Sequence, residues 1–201
     1  MAGFAFLLSV GGTLEAQDQE QARVQKLVNS VRKMILSLPD YTVFDYISFG
    51  LQKGTDGYVV LLKGYTVRPT LKDGLESMVT KIETVESVTN EIEVLPNSGR
   101  DEDIRFAAYA KIYGNSVLSR YNPNRGTPVY GSMRSFGNMM QMGISNDPPR
   151  GFHPISIIVK GGNIILEGVI DSQGHKDMAG IQANTVSGAF GVTNNLHVLN
   201  P

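Results

Sequence analysis

From Asp18 to Leu38 the apolar positions Val24, Leu27, Val28, Val31, Ile35 and Leu38 advance by threes and fours. That is the period of an amphipathic helix with one buried stripe, and Pro39 closes it. Val43–Leu51 is rich in β-branched and aromatic residues and reads as a strand. Lys53-Gly54-Thr55-Asp56-Gly57 reads as a hairpin turn with two glycines for positive φ, and Tyr58–Lys63 as the returning strand. Arg68-Pro69-Thr70 opens a second helix with Thr70 as its expected N-cap. Leu71, Leu75, Met78, Val79 and Ile82 form that helix's inward stripe, and Val85–Leu95 supplies a third strand. The order is αββαβ.

The order then recurs. Pro96-Asn97-Ser98-Gly99 is a polar stretch rich in breakers, and we set the linker at 97–100. Asp101-Glu102-Asp103 places acid in the first turn of a new helix, where the macrodipole favours it. Ile104, Ala108 and Ile112 continue its buried face and match Leu27, Val31 and Ile35 by spacing. Ile155–Lys160 and the turn at Gly161-Gly162 follow. The closing stretch Gly161–Leu199 repeats Tyr58–Leu95 at an offset of 104 residues without a gap. Leu62/Leu166, Gly64/Gly168, Lys72/Lys176, Asp73/Asp177, Val88/Val192, Asn90/Asn194 and Leu95/Leu199 are identical pairs. The expected fold class is α+β: two αββαβ modules, 18–96 and 101–199, each a mixed three-stranded sheet with two helices packed on one face. The other face of each sheet is left for the sister module or a partner.

The copies differ in one place. Residues 119–151 have no counterpart in the first module, and a loop of this length in a compact unit is usually functional or disordered. Its charged residues are Arg120, Arg125, Arg134 and Arg150 against Asp147 alone. Between them stand Tyr121, Tyr130, Phe136 and the methionines Met133, Met139, Met140 and Met142. Arginines interleaved with apolar side chains suit an anionic lipid surface, and methionines adapt to partner surfaces. The plainer reading folds the Met and Phe side chains back over the sheet and leaves the arginines in water.

Composition narrows the classes. The formal net charge of −1 gives no bulk electrostatic case for nucleic acid, and none is expected as a partner. The absence of cysteine removes thiol chemistry, thiolate metal sites and disulfides. Residues 1–16 open with the nearly all-apolar run AGFAFLLSV and reach small Ala16. They read as the apolar and cleavage regions of a secretory signal peptide, although no basic residue precedes the run. If so, the protein is periplasmic or secreted.

The repeated segment carries a strand ending in Leu-x-Gly, a helix with Lys-Asp near its start, and a close in Gly-x-x-x-Val-x-Asn-x-Leu-x-Val. These motifs resemble the BON domain, named for bacterial osmotic-shock-resistance and nodulation proteins. Gly168, Gly188, Val192, Asn194, Asn195, Leu196 and Val198 stand where that pattern expects them. The first copy departs with Thr84 in place of Gly188 and Glu91 in place of Asn195. The resemblance implies a tandem, non-enzymatic module of the bacterial cell envelope, linked to stress response, that binds phospholipid or another envelope component. The scaffold residues it marks here are Gly64, Asn90, Gly168, Gly188 and Asn194.

No catalytic motif is legible. His153, His175 and His197 lack the i,i+2 or i,i+4 spacing of a metal pair and read as surface or edge residues. Asp171, His175 and Asp177 read as helix-start capping and dipole stabilisation, and Asn90 and Asn194 as turn or strand-entry residues that tolerate left-handed backbone and bond nearby backbone. No cofactor, metal or enzymatic activity is expected. The expected function is binding of an anionic membrane or envelope surface through the second module. The alternative is a self-assembling structural subunit, a homo-oligomer in the form of a fibre or ring, using residues 1–16 and the sheet edges.

Overall fold

A computed structural model describes residues 14–123 and 149–199. In order, the elements are α1 (Leu14–Leu36), β1 (Tyr46–Lys53), β2 (Tyr58–Thr66), α2 (Pro69–Val79) and β3 (Val85–Val94). They are followed by α3 (Gly99–Tyr113), a 3-10 turn (Leu118–Tyr121), β4 (Ile155–Lys160), β5 (Asn163–Ile170), α4 (Gln173–Asn184), β6 (Gly191–Asn194) and β7 (His197–Val198). The class is α+β with two sheet modules. In each, the central strand pairs antiparallel with the strand before it and parallel with the strand after the helix. The third strand is continuous in module one. In module two it is split into β6 and β7, both of which pair with β5. No helix among the described residues is long and apolar enough to cross a membrane.

The helical periods build the cores. Leu27, Val31 and Ile35 of α1 and Leu71, Leu75 and Val79 of α2 pack with Ile47, Val60, Leu62 and Ile92 into one buried cluster. Ile104, Ala108 and Ile112 of α3 and Ala179 and Ala183 of α4 pack likewise with Ile155, Ile157, Ile164 and Leu166. Burying such apolar surface is the main favourable term in each module. Glu20 on α1 accepts from Lys53 Nζ and Tyr58 Oη, both at 2.6 Å, tying the helix to the β1–β2 hairpin.

Several local expectations are corrected. β1 begins at Tyr46, three residues after the expected Val43, because Thr42–Asp45 is a turn. Asp45 is fully buried there: one carboxylate oxygen accepts from Thr42 N and Oγ1 (2.9 and 2.7 Å), the other from Thr66 Oγ1 and Val67 N (2.6 and 3.0 Å). The first hairpin uses no positive φ at Gly54 or Gly57, whereas Gly161 (φ 56°) and Gly162 (φ 78°) do form a left-handed pair. Thr70 is not an N-cap. Helix α2 starts after Arg68 with Pro69 in the first turn, where its missing N–H costs nothing. Asn90 and Asn194 do not adopt left-handed backbone; they staple strand to helix. Asn90 Nδ2 donates to Lys72 O (3.1 Å) and Asn194 Nδ2 to Lys176 O (2.8 Å), while their Oδ1 atoms accept from Ile92 N and Leu196 N.

The two modules are joined by more than the linker. The Thr42–Phe44 turn of module one lies along module two: Val43 N donates to Pro149 O (3.1 Å), Ile157 N to Val43 O (2.8 Å) and Gly151 N to Tyr41 O (2.7 Å). Val43 and Phe44 belong to the buried cluster of module two, and the Phe44 ring meets Phe106 of α3 edge-on at 5.2 Å. Lys160 on β4 bridges to Glu93 on β3 at 2.7 Å.

Candidate functional site

Residues 119–151 leave and re-enter module two at the same end, where β4 begins and β5 ends. On the leaving side, the 3-10 turn places Tyr121 against the start of α4. Asp171 N donates to the Tyr121 hydroxyl at 2.9 Å, and that hydroxyl hydrogen-bonds with His175 Nδ1 at 2.6 Å, the rings meeting edge-on. Tyr121 is therefore buried and structural, and the expected lipid contact through it is corrected. Burial raises its phenol pKa. Arg120 is exposed and lies 3.8 Å from the Asp171 carboxylate. Helix α4 is capped by Ser172, whose Oγ accepts from His175 N, so Asp171 and Asp177 are not its caps. Asp177 instead accepts from Gln173 Nε2 one turn away.

On the entering side, Arg150 is exposed and forms an antiparallel bridge with Thr42. Arg125, Tyr130, Met133, Arg134, Phe136, Met139, Met140 and Met142 lie outside the described residues.

His153 is not a surface residue. It is 2% exposed, enclosed by Tyr109 and Tyr113 of α3, with ring centroids at 6.4 and 5.6 Å. Its Nδ1 is 2.9 Å from Gly151 O, which can only accept, so Nδ1 carries the proton. Nε2 is buried without a partner among the described residues. Burial lowers the His153 pKa, because the charged ring would lose its hydration. The folded protein then resists a proton that the unfolded chain accepts near pH 6.5. Stability is full above that pH and falls below it, by at most ~1.4 kcal/mol per pH unit. Urea midpoints at pH 7.5 and 5.5 check this: His153→Gln should flatten the acid loss, and an equal loss in both proteins would rule it out.

A second feature escaped the sequence reading. The left-handed pair Gly161-Gly162 points two successive N–H groups into a concavity of the kind that holds anions, and Asp101 fills it. Gly161 N donates to Oδ2 at 2.9 Å and Gly162 N to Oδ1 at 2.8 Å. Asp101 is thus buried and does more than favour the dipole of α3, which is capped by Ser98. Its neighbour Arg100 stacks over Phe190 at 4.3 Å and donates to Gly188 O. The signal for Asp101 was an acid three residues past a serine cap, but its partners stand sixty residues on.

Among the described residues, the outer face of sheet two carries exposed apolar side chains at the end where the 119–151 segment is rooted. Val169 and Leu199 project there from β5 and from just beyond β7, and both are exposed. Phe152, also exposed, stands two residues before Pro154, whose carbonyl accepts from Val169 N at 3.0 Å. The scaffold glycines do what their conformation requires. Gly168 (φ 127°) and Gly64 (φ 129°) each bring a strand against the preceding strand's carbonyl, and Gly188 (φ 88°) turns out of α4. Among the described residues no group of three or more His, Cys, Asp or Glu side chains could hold a metal ion.

No curated protein matches the chain. Two solved structures of CdsD, a structural protein of the type III secretion system of Chlamydia trachomatis, are similar to it in part. One, the C-terminal domain, is 15% identical over 86% of this chain and 97% of that one, at a TM-score of 0.27. The other is 14% identical over 88% and 93%, at 0.28. Scores this low carry no inference about this chain. Residues 144–200, holding the sheet and the last helix of module two, match the family model described as the BON domain.

Proposed function

We propose that the protein is a non-enzymatic binding protein of the bacterial cell envelope, whose second module associates with anionic phospholipid. The observation that carries this reading is the placement of Arg120 and Arg150. Both are exposed, and they stand at the two roots of a segment that holds four arginines against one acid, at one end of module two. Cations grouped at one end of a nearly neutral chain give a directional attraction to anionic headgroups without a net positive charge. The BON domain match over the same module supports the envelope setting. Module one is a divergent second copy, and export through residues 1–16 belongs to the same reading.

Co-sedimentation with vesicles tests it. Binding to phosphatidylglycerol-containing vesicles is expected, about tenfold weaker once salt shortens the Debye length from ~10 to ~3 Å, and absent with phosphatidylcholine alone. Arg120→Gln with Arg150→Gln should weaken it several-fold. Equal binding to both vesicles, or to neither, defeats the reading.

A further inference from the structure

The repeat extends further than the 104-residue offset shows. Ile47 is the partner of Gly64 and Ile155 that of Gly168, so β1 and β4 are equivalent at an offset of 108 residues. The step of four arises because the first hairpin is four residues longer. At that offset Phe44/Phe152, Ile47/Ile155 and Ser48/Ser156 are identical pairs. The open row of module two, Phe152, Val169 and Leu199, therefore has counterparts Phe44, Tyr65 and Leu95 in module one.

The counterparts are covered and the row is not. Phe44 is 3% and Leu95 4% exposed, and Tyr65 is half-buried. Phe152, Val169 and Leu199 are 55%, 42% and 65% exposed. Phe44 is covered because module two stands against it, with Phe106 of α3 in edge contact. One end of this module type is thus a docking surface for another module of the same type, and in the second copy no module among the described residues occupies it.

We propose that this end docks on module one of a second copy of the chain, repeating between chains the contact that the modules make within one. The surface that receives Phe44 is the side of α3 facing β4. Its counterpart is the side of α1 facing β1, where the helices align at an offset of 77 residues and Asn29 stands in the place of Phe106. Asn29 is exposed, and β1 is an edge strand of its sheet. Because Asn29 replaces Phe106 and Lys33 also faces out, the contact is more polar than the one inside the chain. Small contacts below ~1,200 Å² belong to weak, transient association. The contact is heterologous, so it propagates from copy to copy and does not stop at a pair.

The test uses the absence of cysteine and tryptophan from the chain. Sedimentation velocity from low micromolar to near-millimolar protein should show reversible self-association. Phe152→Glu with Leu199→Glu should weaken it about tenfold or more at an unchanged melting temperature. Ile181→Glu, on an exposed position of α4, should not. A short bis-maleimide should join Phe152→Cys copies to Asn29→Cys copies in a mixture, and join neither variant to itself. A monomer at every concentration, association indifferent to the glutamates, or Phe152→Cys linked to itself overturns the proposal. Phe152→Trp supplies a lone emitter. Its quenching by brominated anionic lipid while the protein stays monomeric would assign the row to membrane and overturn the copy-to-copy contact. The vesicle reading stands or falls separately, by co-sedimentation.

Discussion

Gly168→Ala is expected to destabilise module two by at least ~3 kcal/mol, which for a domain of this size is a large part of its stability. Gly168 has φ 127°, outside every region open to an L side chain, and its strain alone costs ~1–3 kcal/mol. A Cβ at that position would also overlap the Pro154 carbonyl oxygen, which is backbone and cannot rotate away. Relief would require β4 to part from β5, breaking the ladder that begins at Ile155 and Gly168. Gly64→Ala should act in the same way on module one, against the Tyr46 carbonyl. The contrast is Gly74→Ala in helix α2, where a Cβ meets nothing and alanine should stabilise by ~0.5–1 kcal/mol. Urea denaturation of the three variants measures the difference. A Gly168→Ala protein within ~1 kcal/mol of the parent would show that the strand carbonyl yields.

Asp45→Ala is expected to cost about 3–5 kcal/mol, since each buried donor left without an acceptor loses ~1–3 kcal/mol. Thr42 N, Thr42 Oγ1, Thr66 Oγ1 and Val67 N all donate to this one carboxylate. Removing it leaves two amides and two hydroxyls with no partner of similar strength in a closed site. Asp45→Asn keeps one acceptor oxygen and should lose about half as much. The same carboxylate shapes the turn that carries Val43 and Phe44 into module two. The variant should therefore increase amide hydrogen exchange at Ile157, whose N–H donates to Val43 O. Exchange confined to module one would show that the turn holds its shape without the carboxylate.

The helix stripes were legible because a period of three and four residues needs no partner to be read. Leu27-Val31-Ile35 and Ile104-Ala108-Ile112 form the buried faces of α1 and α3. Gly64 and Gly168 were legible as a repeated pair, although only the pairing of neighbouring strands shows why no Cβ fits. Asp45, Asp101 and His153 were not legible, and the reason is shared. A polar residue in an apolar stretch is interpreted by its partners, and theirs lie up to 61 residues away. Asp45 stood in a run rich enough in Val, Phe, Tyr and Ile to read as strand, so the turn was missed. The arginine cluster was legible as composition only: of its members, Arg120 and Arg150 are placed in the fold, and Tyr121 proved to be core. The Phe-x-x-Ile-Ser recurrence escaped because an unequal hairpin shifts the offset by four residues.

Val43 and Phe44 have one more consequence. They are encoded in the first copy but pack in the second, so a fragment cut at the linker would lose two of its buried side chains and the backbone partners of Pro149, Gly151 and Ile157. Heating the intact chain should accordingly give one cooperative transition, because neither half keeps its full set of contacts while the other is unfolded. The boundary that evolution duplicated is not the boundary at which the molecule comes apart.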